Sequence, residues 1–369
     1  MVCCNGEMEQ IPIYITGLGN VSPQPTTATG AFPAEWLFHE TNQLKSLDPG
    51  YRDFIPADQI RRMGRVIRMG VASARMCLAD GGQNGVPAMP DAIITGTGLG
   101  CIEDTEKFLA SMIRNKEEFL TPTSFIQSTH NTVAGQIALQ LGCHGYNFTY
   151  VHRGISFESA LTDAMMQIST GQADRVLSGG TDELTAHSFA IMERFGAWKK
   201  LPVHTAGLLA DLRRGTIAGE GAAFFLLEKE HRPGAYARIE AVDTFAGPVT
   251  GEEANRRIDR FLEAHDLRRS DIGLFLLGLN GNPSGDRVFR EAILTSQADL
   301  PAGYFKHLCG EYHTASAFAL WLGAMTLRHG EVPSVVLTDP SRKVPHPERI
   351  LIWNHHMESN HALILLSRA

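Results

Sequence analysis

The chain lacks several things that would place it quickly. No apolar run approaches the length needed to span a bilayer, so no transmembrane helix is expected. The opening MVCCNGEMEQ has no basic region followed by an apolar one, so no signal peptide is expected. Its adjacent cysteines would take a lipid only by an unusual route. Positive charge is not in excess: net charge is −7 and the pI is near 6.1, which argues against a nucleic-acid or anionic-membrane partner. The six cysteines (Cys3, Cys4, Cys77, Cys101, Cys143 and Cys309) show no C-x-x-C spacing. They read as reduced core thiols of a cytoplasmic protein rather than a disulfide framework or metal site. No cofactor and no metal are implied. What is present is ample core: 369 residues at 43% hydrophobic suit two domains or one large duplicated one.

The most telling absence is local. Residues 145–164, GYNFTYVHRGISFESALTDA, read as a strand, a sharp turn and a helix. Phe148, Tyr150 and Val151 suit a buried strand. Phe157, Ala160, Leu161, Ala164 and Met165 fall at helical spacing. A nucleophile is well placed in such a turn, because the helix beyond it offers free N–H groups and the positive end of its dipole. Yet the turn His152-Arg153-Gly154 holds no cysteine, and the nearest hydroxyl is Ser156.

Along the rest of the chain, short apolar strands alternate with helices. Strands are expected at 12–19, 92–100, 175–181, 217–228, 236–244, 272–279, 334–337 and 361–366. Helices are expected at 60–80, 105–114, 156–165, 252–265 and 315–328, with 122–141 running from a polar loop into a helix. Alternation of this kind means layered α/β architecture. Two similar halves, 1–230 and 231–369, suggest an internal duplication.

Several segments together resemble the β-ketoacyl synthases of the thiolase-like superfamily. These are PIYITGLGNVSP at the start, NTVAG at 131–135, RVLSGGTDE at 175–183, IAGEGAAFFLLE at 217–228, NPSGD at 282–286, and Lys306 followed by Gly310. The resemblance implies a five-layer αβαβα fold. It also implies chemistry on a Cys and two His: a thiolate that carries the acyl chain and imidazoles that support decarboxylative condensation. Carried over by spacing, the Cys position is Gly154, the first His position is Gly278 and the second is Glu311; only Lys306 is kept. The family's closing G-F-G-G-x-N corresponds to HHMESN at 355–360. His356 stands at the Phe, and Met357 and Glu358 at the paired glycines, which removes the oxyanion site expected there.

A scaffold kept without its three catalytic residues is similar to the chain length factors that pair with an active ketosynthase. More narrowly, VHRGISFESAL resembles the ketosynthase-like subunits of aryl polyene and flexirubin pathways. The resemblance implies two partners: an active ketosynthase in a heterodimer, and an acyl carrier protein. The alternative is an independent acyltransferase or thioester hydrolase built on Ser156, Glu311 and His313.

Other residues carry open readings. His152 and Arg153 either fill the vacated pocket, bond across a subunit interface, or sit on a solvated turn. Glu311 and His313 either pair with Lys306 as a structural replacement of the old site or serve as an acid/base pair. Ser156 reads as an N-cap before it reads as a nucleophile. Phe125, Gln127 and Thr129 are candidates for gating the chain, against simple interface packing. The arginines of 61–75 either meet an acidic carrier protein or line a solvated face.

Overall fold

Apolar strands of three to ten residues and glycine turns build one sheet. The computed structural model describes residues 11–120, 122–295 and 300–369. Cys3, Cys4 and the opening segment lie outside the described residues. The strands of the main sheet are β1 (Ile13–Val21), β2 (Ala92–Gly96), β3 (Asn147–Tyr150), β4 (Arg175–Asp182) and β5 (Gly221–Glu228). The second five are β6 (Ala237–Ala246), β7 (Leu274–Leu277), β8 (Ala302–Tyr304), β9 (Arg349–His356) and β10 (Asn360–Ser367).

Strand order is β8-β7-β9-β10-β6-β1-β5-β4-β2-β3. Read outward from the β1–β6 junction, the two halves have the same order and the same parallel and antiparallel senses. The change of half falls between Glu228 and Ala237.

The helices are α1 (Arg65–Asp80), α2 (Ile102–Arg114), α3 (Pro122–Gln127), α4 (Thr132–Leu141), α5 (Ser156–Ser169) and α6 (Ala186–Arg194). In the second half they are α7 (Gly251–Glu263), α8 (Pro283–Phe289), α9 (Lys306–Cys309) and α10 (Ala315–His329). Helix α10 is buried all round from Ala315 to Leu327, as a helix enclosed on every side must be apolar on every side. With α5 it packs against strands of both halves in one core. Helix α1 covers the outer face of the first half and α7 that of the second. The layers are therefore α, β, α, β, α, with the ends of β4 and β9 and the α5 turn converging at one rim.

Four local expectations are corrected. The helix expected over 60–80 is interrupted at Gly64, whose extended backbone leaves no room for a β-carbon beside Asp104. Of the residues 334–337 expected as a strand, Ser334–Val336 form a 3-10 turn after Pro333, and Leu337 alone makes an isolated bridge to Gly303. Strand β9 is not among the strands expected above; its apolar run ends in Asn354, His355 and His356, buried polar residues that disguise it. Strand β3 is not a buried strand. It is the outer edge of the sheet, with Phe148 45% and Val151 39% exposed.

Candidate functional site

At the end of β3 the chain turns through Arg153, at a left-handed φ of 56°, and enters α5. Ser156 ties this turn: its hydroxyl donates to the Arg153 carbonyl at 2.7 Å and accepts from the His152 N–H at 2.8 Å. It is the first residue of α5 and does not cap it, which corrects the N-cap reading; the cap position falls to Ile155. Both hydroxyl contacts are to backbone. His152 is exposed, and its ring meets the Ser159 hydroxyl, so it does not fill a pocket. Arg153 is exposed but lines a cavity rim.

Gly154 is buried, and its backbone is not left-handed; the glycine supplies space rather than conformation. A β-carbon there would lie 2.2 Å from Cβ of His356. Two further pairs repeat the theme. A β-carbon on Gly278, just beyond β7, would meet Oδ1 of Asn354 at 2.4 Å, and one on Gly98 would meet the His313 ring at 2.1 Å. Real β-carbons essentially never sit so close to a non-bonded heavy atom.

Glu311 follows α9 and Gly310 and is buried. One carboxylate oxygen accepts from Lys306 Nζ at 2.6 Å and from Asn280 Nδ2 at 2.8 Å; the other faces His356 Nδ1 at 3.4 Å. The fully buried Lys306 also donates to the His355 carbonyl at 3.0 Å. Burial pushes the Glu311 carboxyl up, but Lys306 and His356 override it and hold the group well below the usual carboxylate range. The partner of Glu311 beside Lys306 is thus His356, not His313. His313 packs on the His356 ring, with centroids 4.3 Å apart. Burial, then the neighbouring His356, lowers the His313 imidazole to about 4, so it stays neutral near pH 7.

A cavity of about 260 Å³ opens beside this cluster. Leu99, Leu184, Met192, Trp198 and Tyr312 give it apolar walls, and Arg153, Glu311, His313 and His356 give it polar ones. Sequence reasoning missed Asp182, which organises one wall. From the end of β4 it accepts from Thr97, the Gly98 N–H, and both the N–H and hydroxyl of Thr314 at 2.8–3.0 Å. The acidic residue closing RVLSGGTD was the available signal. Beyond His356, Met357 and Glu358 take left-handed φ values of 49° and 60°. Glu358 accepts from the Ser284 hydroxyl at 2.6 Å.

The remaining candidates lie apart. Phe125 is exposed and packs on Phe108, Gln127 bonds to the Gly64 N–H and the Arg62 carbonyl, and Thr129 is exposed on the turn after α3. None of the three lines the cavity of this chain. The arginines of 61–75 do not share one free face. Arg65 pairs with Glu220 and Asp48, Arg68 lies over the Tyr51 ring, and Arg75 donates to Gln140, while Arg61 and Arg62 are exposed. Cys309 is buried and Cys143 half-buried.

The family model described as "Beta-ketoacyl synthase, N-terminal domain" matches residues 12–232. The chain belongs to the β-ketoacyl synthase family. Among curated relatives of this family, Nodulation protein E of Rhizobium meliloti (strain 1021) is 25% identical over 357 residues, covering 87% of each chain. The tetracenomycin polyketide synthase ketoacyl synthase alpha subunit of Streptomyces glaucescens is 26% identical, over 73% of this chain and 70% of its own length. Among solved structures, the ishigamide ketosynthase/chain length factor superposes with a TM-score of 0.78 at 21% identity, covering 98% of this chain and all of the other. The likeness in structure establishes the shared fold. Among the described residues no helix is long and apolar enough to cross a membrane.

Proposed function

We propose that this chain is a chain-length-factor-like subunit that has no condensing activity of its own. It pairs with an active ketosynthase and shapes the tunnel in which that partner's acyl chain grows. The observation that carries the reading is the packing of His356 onto Gly154. The family's nucleophile position lacks a thiol, and the space a thiol would use is taken. A thioester cannot form on glycine. The substituted positions Gly278 and Glu311 are likewise built into the local packing, with Glu311 neutralised by Lys306.

The pairing is supported by the edge strand β3. Among the described residues nothing pairs with its outer backbone edge, and Tyr146, Phe148 and Val151 are exposed, with Leu139 and Met166 also exposed. A bare apolar edge invites a second chain. The growing chain is carried by an acyl carrier protein, and product length is set sterically, since packed walls resist intrusion. The pathway is of the fatty-acid or polyketide type, with aryl polyene or flexirubin pigments as the narrower assignment, and the setting is cytoplasmic. Phe125, Gln127 and Thr129 lie away from this chain's own cavity and would reach a partner's pocket instead. The rival reading, an independent acyltransferase or hydrolase, has less support, because the Ser156 hydroxyl is committed to backbone groups and Glu311 to Lys306.

The test is coexpression with the ketosynthase encoded nearest to this chain, followed by size exclusion and intact mass. A one-to-one complex is expected to elongate malonyl units. Its activity should survive Ser156→Ala here and vanish when the partner's active cysteine is replaced. Acylation of this chain on one of its own residues would overturn the proposal.

A further inference from the structure

Strand β8 is the end strand of the second half. Residues 334–338 cover its edge: Gly303 bridges to Leu337, and the Thr338 N–H and hydroxyl both donate to the Ala302 carbonyl at 3.0 Å. A recess of about 420 Å³ lies between this cover and the 3-10 turn Thr205–Ala210. It shares no lining residue with the cavity beside His356.

One wall of the recess is aromatic. Phe38 stacks on the His307 ring with centroids 6.4 Å apart, and His307 meets the Tyr304 ring at 3.9 Å. The His307 Nε2–H donates to the Val335 carbonyl at 2.9 Å, which fixes the ring. Burial lowers this imidazole to about 3, so it carries no charge near pH 7. Another wall is made of Ala206, Gly207 and Ala210. The Gly207 backbone is not left-handed, and a β-carbon built there meets nothing within 4 Å. Neither conformation nor packing demands glycine at this place; what it leaves is room.

Two observations point to what fills the room. The first is Tyr304. It is only 7% exposed, yet its hydroxyl makes no hydrogen bond to any described residue. A phenol buried to this degree normally has a partner. This one is not sealed inside the protein but opens on the recess. Burial pushes it up to about 12, so it remains a donor near pH 7. The second is charge. In a chain with 20% charged residues, none of the twelve that line the recess is Asp, Glu, Lys or Arg. An ion entering here would lose its hydration with nothing to replace it. Aromatic walls, one free donor and a few hundred Å³ of space are the make-up of a small-molecule site.

We infer that this recess binds a flat, uncharged aromatic ligand carrying an oxygen that accepts from the Tyr304 hydroxyl. The rings of Phe38 and Tyr304 supply the stacking surface, and Gly207 the clearance. Occupancy does not depend on the pairing proposed above.

The test titrates the full chain with prodan, a neutral, flat naphthyl ketone whose emission moves to the blue in an apolar site. One-to-one binding is expected. Tyr304→Phe should weaken it about three- to tenfold, the worth of one hydrogen bond. Gly207→Trp and, separately, Ala210→Trp should weaken it about tenfold or more by filling the recess. Thermal midpoints identify which of these variants are folded, and either one suffices. Phe148→Glu at the sheet edge and Met192→Trp in the cavity beside His356 should leave binding unchanged. An anionic naphthalene sulfonate should fail to displace prodan. Absence of binding up to the solubility limit would overturn the inference. So would binding that survives the tryptophan variants, binding lost in Phe148→Glu or Met192→Trp, or ready displacement by the sulfonate.

Discussion

The side chain of His356 occupies the volume that any residue larger than glycine would need at position 154, with a separation of 2.2 Å between His356 Cβ and a β-carbon built on Gly154. The two residues come from different halves of the chain and act as one packed unit. His356 is held in place by Glu311, and Glu311 by Lys306. Enlarging residue 154 therefore requires changing residue 356 as well.

The first prediction follows from that pair. Gly154→Cys alone overpacks the rim and should cost about 1–3 kcal/mol. Combined with His356→Gly it should cost less than the sum of the two single changes, because residues in contact couple. Urea unfolding of the four variants closes the cycle, and strict additivity would contradict the packing described. Alkylation by iodoacetamide, mapped by peptide mass, should reach position 154 faster in the double variant than in Gly154→Cys.

A second prediction concerns the buried ion pair. Lys306→Met leaves Glu311 charged and largely uncompensated, which typically costs about 3–5 kcal/mol. Glu311→Leu added to it removes the orphaned charge and should recover part of that loss. Denaturant midpoints of the two variants decide the matter. A double variant less stable than Lys306→Met would show that the pair matters through its other contacts.

The third prediction is a pH dependence. Glu158 is fully buried on α5, and burial raises its carboxyl to about 7. A carboxylate raised in the fold costs nothing while both states are protonated. The cost grows as pH climbs above its unfolded value and levels off once the folded group ionises near 7. Glu158→Gln should therefore raise the melting temperature at pH 8.5 and change it little near pH 5. The full effect is about 3 kcal/mol, since each tenfold change in proton affinity between the folded and unfolded chain is worth roughly 1.4 kcal/mol. An equal change in melting temperature at both pH values would show that Glu158 is not the titrating group.

The sheet edge gives a fourth. Phe148→Glu places a charge on the exposed face of β3 without disturbing the core, so the isolated chain should keep its stability within about 0.5 kcal/mol. In coexpression it should abolish the complex with the ketosynthase on size exclusion. A complex that survives would show that the chains meet elsewhere.

Much of this was legible in the chain. The alternation of strands and helices and the glycine turns are local or nearly local patterns, and backbone geometry turns them directly into elements. The Lys306–Glu311 pair lies within one such segment. The mistakes have a common origin. Phe148 and Val151 read as buried because apolar residues usually are, yet the edge position of β3 leaves them exposed. Strand β9 was hidden because buried histidines look polar, although neighbours such as the Phe289 ring, stacked on His355, accept them.

The sequence by itself determined the family, the layered α/β fold and the absence of a thiol in the turn before α5, since each depends on which residues occur and how far apart they stand. Only the tertiary structure decided that His356 rather than His313 joins Glu311, that His356 lies on Gly154, and that Asp182 gathers Thr97, Gly98 and Thr314. These relations join residues distant along the chain. Their distances are set by how two folded halves close on α5 and α10, and that closure is fixed by packing across the whole core rather than by any local signal.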